Sequence, residues 1–473
     1  MRGCRLSAID ILQQGLNNLA TYQAVWAEED NYLRGAHERP FAPAGVNKEY
    51  RALQEMAVAP WLRLVVKAPV QRLRVDGFRT DASSDADMSV WKRVWKANKL
   101  GSRQRMVYED AVAHGRGVVE VAPPKEEGGN PRVGVVSPSQ VWVEYQANNR
   151  FVPMWAVKTW EVAQPNGGSI QNATVYTDTT ITHFLDTRGL NTVQSGGNSL
   201  GRVPFVEFRP EWDSLGRPLS MIRPLFPMQR AIDTMRFDLL LSAQFSAYRQ
   251  RIVTGFDPVI YDDKGIPVFQ TDKDGKVKTD AEGNPIPATV SPGRPGVDRL
   301  MAFPGADTKV FDLAESNLGN YVSTIKMLVQ QLAAISQVPP QYLLGDMANL
   351  SGEALDAAES TLGALVDDLK REFSSSWEDV VHLADLAVGG EGVGLASEVI
   401  WGDAVAKSFG QVVDGITKLV QTGFPYEAAW EMLPGATQVK VQQWLDMAES
   451  ERAMGNPYAR ALTEGLESTS GVA

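Results

Sequence analysis

The chain has 473 residues, 44% apolar and 22% charged, with a formal net charge of −11. That is an ordinary globular composition, long enough for several modules and too apolar for general disorder. A single cysteine, Cys4, excludes a disulfide framework and any cysteine-built zinc site within one chain. No run approaches the roughly 18 apolar residues of a membrane span, and the stretch after Met1 lacks the continuous apolar core of a secretory signal.

Residues 8–36 place Ile9, Leu12, Leu16, Leu19, Tyr22, Val25 and Trp26 at helical spacing and predict a first helix. Pro40 and Pro43 interrupt the chain, a second helix is expected over 47–67, and Pro69 is expected to break it. A polar turn over 81–87 precedes a third helical region with Trp91, Val94, Trp95 and Leu100. A fourth, over 104–113, ends at His114-Gly115-Arg116-Gly117, where glycine suits a helix stop.

From 118 to 209 the apolar period changes to two. Strands are expected at 118–121, 132–136, 141–145, 154–161, 173–176, 180–185 and 203–208, separated by turns such as 164–168 and 195–198. Strands in one run, appended to helices without βαβ alternation, give the class α+β with an antiparallel sheet. A long helix is expected over 227–249. Leu240, Leu241 and Phe245 widen its apolar coverage beyond the stripe of Met228, Ile232, Met235 and Leu239, so neighbours are expected on more than one side.

Residues 255–310 hold no helical period and are rich in turn signals, with short β segments expected at 259–261, 268–270, 276–278 and 288–290. A module this poor in large apolar residues is marginal alone and is expected to gain stability by pairing strands with other copies of the chain. After a glycine-rich linker at 389–394, helices are expected over 404–422, 426–432 and 439–454, followed by a polar tail.

The stretch 317–389 organises the rest. Leu318, Tyr321, Val322, Ile325, Leu328, Leu332 and Ile335 predict one helical stripe, which Pro339 and Pro340 end. The chain restarts at Ser351, a cap-forming residue, with Glu353 in the first turn. Leu355, Ala358, Leu362, Leu365, Leu369, Phe373, Trp377, Val380 and Ala384 then hold one stripe for a helix of about 50 Å. Residues 311–400 contain 14 acidic and 3 basic side chains, so the whole excess of negative charge lies here. It is either a solvated acidic helix face or a surface that stays near a polyanion without holding it.

Catalytic signatures are missing. No G-x-x-x-x-G-K-[ST] phosphate loop occurs, and Gly115-x-Gly117 stands alone as a turn. Asp272-Lys273-Asp274-Gly275 has its glycine too early for a calcium loop, and Gly283 stands where the closing glutamate belongs, so it reads as a hairpin turn. His37, His114, His183 and His382 are scattered and none has a second histidine at zinc-ligand spacing. The pairs Asp367-Asp368 and Glu378-Asp379 are consecutive on a helix and point apart. No catalytic, cofactor-binding or metal residue is assigned.

The order of parts resembles the portal proteins of tailed bacteriophages, most closely those of phages with long non-contractile tails. The residues that carry the resemblance are Ile335-Ser336-Gln337-Val338-Pro339-Pro340-Gln341-Tyr342-Leu343-Leu344-Gly345 and Leu350-Ser351-Gly352-Glu353-Ala354-Leu355. Weaker matches are Asn98-Lys99-Leu100 with Asp110-Ala111 and His114-Gly115-Arg116-Gly117, and Trp401-Gly402-Asp403 with Gly423-Phe424-Pro425.

The resemblance implies a mainly helical, elongated subunit with an antiparallel β wing part, long stem helices and a small α/β clip. By position it implies a wing over 1–226, a stem helix over 227–254, a clip over 255–316 and a returning stem helix over 317–338. A tunnel loop over 339–351, a long wing helix over 352–394 and a helical crown with the C-terminal tail over 395–473 follow. The loop would present Gly345, Asp346, Met347, Ala348, Asn349 and Leu350 to DNA, hinged at Pro339, Pro340 and Ser351.

It further implies a non-enzymatic ring, usually of twelve subunits, at one vertex of the virion capsid, built in the host cytoplasm and involving no membrane. Double-stranded DNA would be packaged and ejected through it. Its partners would be the terminase large subunit, a head-completion adaptor, and the major capsid and scaffolding proteins; no cofactor is implied. The rival expectations are a metal-dependent nucleic-acid-processing enzyme, with Asp367 and Asp368 among its ligands, and a monomeric scaffold or adaptor of the packaging system.

Overall fold

The computed structural model describes residues 6–42, 48–80, 88–165, 167–188, 191–247, 251–254, 257–289, 309–312, 317–345, 352–390, 398–402, 409–433, 436 and 438–453. They fall into two compact units. The first comprises Met1–Phe41, Gln54–Thr234 and Ile325–Ala473, and the second Ala42–Leu53 and Met235–Thr324. Helices and antiparallel sheets occupy long separate runs, the α+β arrangement expected.

Helix α1 (Ala8–Arg34) opens on a capping box between Ser7 and Asp10 and closes at Gly35 with φ 69°. The single helix expected over 47–67 is two, α2 (Lys48–Ala57) and α3 (Trp61–Val70), because Pro60 interrupts the ladder. Pro69, expected as a break, sits in the last turn of α3. Strand β1 (Val75–Arg79) was not anticipated; it pairs with the equally unanticipated β12 (Glu398–Trp401), Phe78 opposite Val399. A π-helical turn, Trp91–Lys96, leads to α4 (Leu100–His114).

Strands β2 (Gly117–Ala122), β3 (Arg132–Val136) and β9 (Phe205–Phe208) form one antiparallel sheet, in the order β3-β2-β9. A second meander runs β4 (Val141–Gln146), β5 (Asn149–Ala163), β6 (Ser169–Thr177), β7 (Thr180–Leu185) and β8 (Asn191–Gly197). Residues 195–197, expected in a turn, end β8, which pairs Ser195 with Thr182. Two glycines are tolerated there because β8 is the edge strand. At the start of β2, a Cβ on Gly117 would lie 2.2 Å from the Val107 carbonyl oxygen, so only glycine lets β2 approach α4 so closely.

The core of this unit gathers along the long helix α8 (Gly352–Leu386). Leu362, Leu365, Leu369, Phe373, Trp377, Val380 and Ala384, the described part of the expected stripe, are all buried. Trp377 meets Phe208 at 4.8 Å and Trp95 at 4.9 Å between ring centroids, and its Nε1 donates to Tyr108 Oη at 2.7 Å. The Tyr108 ring stacks on Phe373 at 5.2 Å. Trp401 of β12 donates from Nε1 to Ser374 Oγ at 2.8 Å, tying that strand to the same helix. Helix α6 (Leu318–Ser336) keeps its expected stripe in part: Leu332 is buried and Ile325 and Leu328 pack on the core, while Val322 and Ile335 are exposed and Val329 and Ala333 are buried beside the stripe.

Helices α1 and α4 are joined by a charge cluster centred on the buried pair His114 and Glu29. His114 Nδ1 lies 2.9 Å from Glu29 Oε2, His114 Nε2 lies 3.5 Å from Asp30 Oδ1, and Arg223 Nε donates to Glu29 Oε1 at 3.0 Å. Burial opposes a charge on the imidazole, but the hydrogen bonds to Asp30 and Glu29 outweigh it and push its pKa up to about 9. Burial pushes Asp110, beside it, up to about 7 against the pull of the imidazolium. Both groups are raised, so both favour the folded state at lower pH. The His114 contribution, on the order of 3 kcal/mol, is full below pH 6.5 and is lost as pH rises through 9. His114→Gln should therefore flatten the fall in urea midpoint between pH 6.5 and 9; a slope equal to that of the unaltered chain would show that the cluster does not titrate with folding.

In the second unit, the residues of α5 (Phe226–Ala247) from Met235 onward include Leu239, Leu240 and Leu241, each half-buried. The helix was expected to reach 249, and residues 248–250 lie outside the described ones. Ser242 Oγ of α5 donates to Tyr321 Oη of α6 at 3.3 Å. Strands β10 (Arg251–Thr254) and β11 (Lys309–Asp312) pair antiparallel.

Residues 257–289 fold as three tight turns that form a short internal repeat. Asp262, Asp272 and Asp280 each accept two amide hydrogen bonds from residues two and four positions on. Gly265, Gly275 and Gly283 follow in the left-handed region. The hairpin turn expected at Asp272–Gly275 is thus one of three.

The turns are tied by two closed rings of backbone hydrogen bonds, Ile260–Val268–Ala288 and Gln270–Lys278–Ile286. The last helices are α9 (Phe409–Gln421), α10 (Tyr426–Glu431) and α11 (Gln438–Ala453), close to the three expected.

Candidate functional site

The site follows from how α6 stops. Gln337 takes the left-handed position that usually falls to glycine, φ 57°, and the Val338 amide reaches back to Ala333 O at 3.1 Å. Pro339 then caps a one-turn helix, α7 (Pro340–Leu344), whose Gln341 and Leu343 are buried. Gly345 closes α7 at φ 68°, its amide donating to Gln341 O at 3.0 Å. Of the residues expected to face DNA, Gly345 is therefore the turn out of α7. Asp346, Met347, Ala348, Asn349, Leu350 and the hinge residue Ser351 lie outside the described residues. Pro339 and Pro340 stand where the chain turns from α6 into α7.

Three residues that the sequence reading missed converge at the base of this segment. Arg72, in the turn after α3, donates from Nη2 to Tyr342 Oη at 2.7 Å and to Glu359 Oε2 at 2.5 Å. Tyr342 Oη donates to Glu359 Oε1 at 2.6 Å, and the guanidinium lies 5.6 Å from the centre of the Tyr342 ring. Burial, followed by the bond to Glu359, pushes the Tyr342 phenol up, so it remains a donor at neutral pH. No periodicity signals such a cluster, because its members come from three elements.

Beyond the base, the polar face of α8 is acidic. Asp367 and Asp368 are largely exposed and paired one turn on with Lys370 and Arg371. Glu378 and Asp379 are both pushed up, chiefly by burial. Among the described residues no three of His, Cys, Asp and Glu are grouped to hold a metal ion. A cleft of about 860 Å³ lies beside the C-terminal half of α8, lined among others by Glu372, Asp379, His382, Arg150, Arg209 and Trp212.

Residues 18–454 match the family described as phage portal protein, SPP1 Gp6-like. The chain belongs to this family. It is 26% identical over 437 residues to the portal proteins of Mycobacterium phage D29 and Mycobacterium phage L5, covering 89% of this chain and 84% of each relative. A chain of the virion of a native gene transfer agent particle is more distantly similar, at TM-score 0.44 and 11% identity, covering 84% of this chain and 97% of that one. The bounds of the portal-family match enclose α6, α7 and α8. The resemblance carried by 335–345 and 350–355 thus extends over most of the chain.

Proposed function

We propose that this portal-family chain assembles as a ring, of about twelve copies on the resemblance, at one vertex of a phage capsid, and that double-stranded DNA enters and leaves through its centre. The observation that carries this reading is the family match over residues 18–454. Residues 1–226 then serve as wing, 227–254 (helix α5 followed by strand β10) and 317–338 as stem, 255–316 as clip, 352–394 (which contains helix α8) as the long wing part and 395–473 as crown. The segment 339–351 is the tunnel loop, with Gly345, Asp346, Met347, Ala348, Asn349 and Leu350 towards DNA.

The terminase large subunit and a head-completion adaptor dock on the clip, and major capsid and scaffolding proteins surround the wing. The chain contributes no chemical step. Two features support the conduit. The acidic excess over 311–400 discourages a persistent grip on phosphates, and the turn module at 257–289 leaves Ile266 and Val277 about half exposed, ready to be covered by neighbours.

The reading is tested by shortening 346–350. Ring assembly should be unchanged, while the DNA protected inside heads falls by on the order of tenfold. Failure of the rings themselves to assemble would make the segment structural and remove it from the conduit.

A further inference from the structure

We propose that Arg72, Tyr342 and Glu359 are positioning residues that latch together the two ends of the segment 346–351; their role in DNA transit rests on the reading of that segment as the DNA-facing loop. Tyr342 precedes the segment on α7 and Glu359 follows it on α8, 17 residues apart in sequence, yet their oxygens are 2.6 Å apart. Arg72 joins both from a third element. Each of the three touches the other two, so the end of α7 and the first turns of α8 are held together across that segment.

An ordinary surface ion pair would do little, since exposed pairs are worth only about 0–1 kcal/mol. This one differs in burial and in connectivity. The Arg72 and Glu359 side chains are 15% and 16% exposed, and a charge-assisted bond shielded from water is stronger than one on the surface. Arg72 Nη1 is buried and has no hydrogen-bond partner among the described residues. Removing Glu359 would therefore leave Nη1 unpartnered and Nη2 with the neutral Tyr342 hydroxyl in place of a carboxylate, a cost that favours keeping the triangle closed. Arg72 also anchors the triangle to the turn between α3 and β1, and α3 packs into the core of the first unit. A push on the loop is then resisted by the body of the unit and not by α7 alone.

The test is hydrogen–deuterium exchange on the full-length protein in its native assembly, comparing Arg72→Ala, Glu359→Gln, Tyr342→Phe and Arg72→Lys with the unaltered chain. Peptides covering 340–359 should exchange about tenfold faster in Arg72→Ala and Glu359→Gln, with those covering 362–384 unchanged. Tyr342→Phe, which removes only the hydroxyl, should give a smaller acceleration, and so should Arg72→Lys, which keeps the charge without the fork. Unchanged exchange over 340–359, or equal acceleration over 362–384, overturns the latch. The loop-shortened ring reports separately on the DNA-facing reading. If it fills heads normally while Arg72→Ala and Glu359→Gln loosen 340–359, the latch stands and the DNA-facing reading falls.

Discussion

Trp377→Ala should cost the first unit about 3–5 kcal/mol, the range for truncating a fully buried tryptophan. Trp377 has no exposed surface, and its ring is edge-packed against both Trp95 and Phe208. Truncation opens a cavity in the middle of α8 and removes the indole donor from the buried Tyr108 hydroxyl, which keeps only its 3.2 Å bond to Gln104 Oε1. The cavity and the lost hydrogen bond each destabilise, and both arise at one contact, so their costs are not independent. Trp377→Phe refills part of the space and should lose about 1–3 kcal/mol, mainly through the missing hydrogen bond. Thermal unfolding followed by tryptophan fluorescence distinguishes the two. A loss under about 1 kcal/mol in Trp377→Ala would mean that the first unit is not built around α8.

On the proposed function, ring assembly is the second large expected effect, because it is close to all or none. Single copies leave Val322 and Met327 of α6 nearly half exposed and Ile335 more than half exposed. In the second unit Tyr261, Ile266 and Val277 are similarly uncovered on a module with little interior. Apolar surface of this kind is stabilised when a neighbour covers it, and binding only the folded form raises apparent stability by mass action. The assembled protein is therefore expected to unfold at a higher temperature than dilute subunits.

Much of the fold was legible because it is written in local periods. The stripe from Leu362 to Ala384 needs nothing beyond its own spacing, and each described member is buried. The two-residue alternation from 118 to 208 located seven of the strands for the same reason. What failed was non-local. Strands β1 and β12 are short, and each is defined only by the other, from opposite ends of the chain. The stripe on α6 held at Ile325, Leu328 and Leu332 but not at Val322 and Ile335, which are exposed.

The candidate site divides the same way. Pro339, Pro340 and Gly345 announce their break through proline chemistry and a left-handed glycine. Arg72, Tyr342 and Glu359 are individually unremarkable residues, and only the three-dimensional meeting of α3's following turn, α7 and α8 gives them a role. The charge concentration over 311–400 was countable from sequence, while the pairing of Asp367 and Asp368 with Lys370 and Arg371 required the helix geometry.

The measurement that tests the central claim most directly is electron microscopy of the purified full-length chain, with its mass in solution determined alongside. Closed rings of one subunit number with an axial hole are the expected result, and their mass should be a whole multiple of the 51.8 kDa chain. A stable monomer at high concentration, with no rings under any assembly condition, would contradict the portal reading.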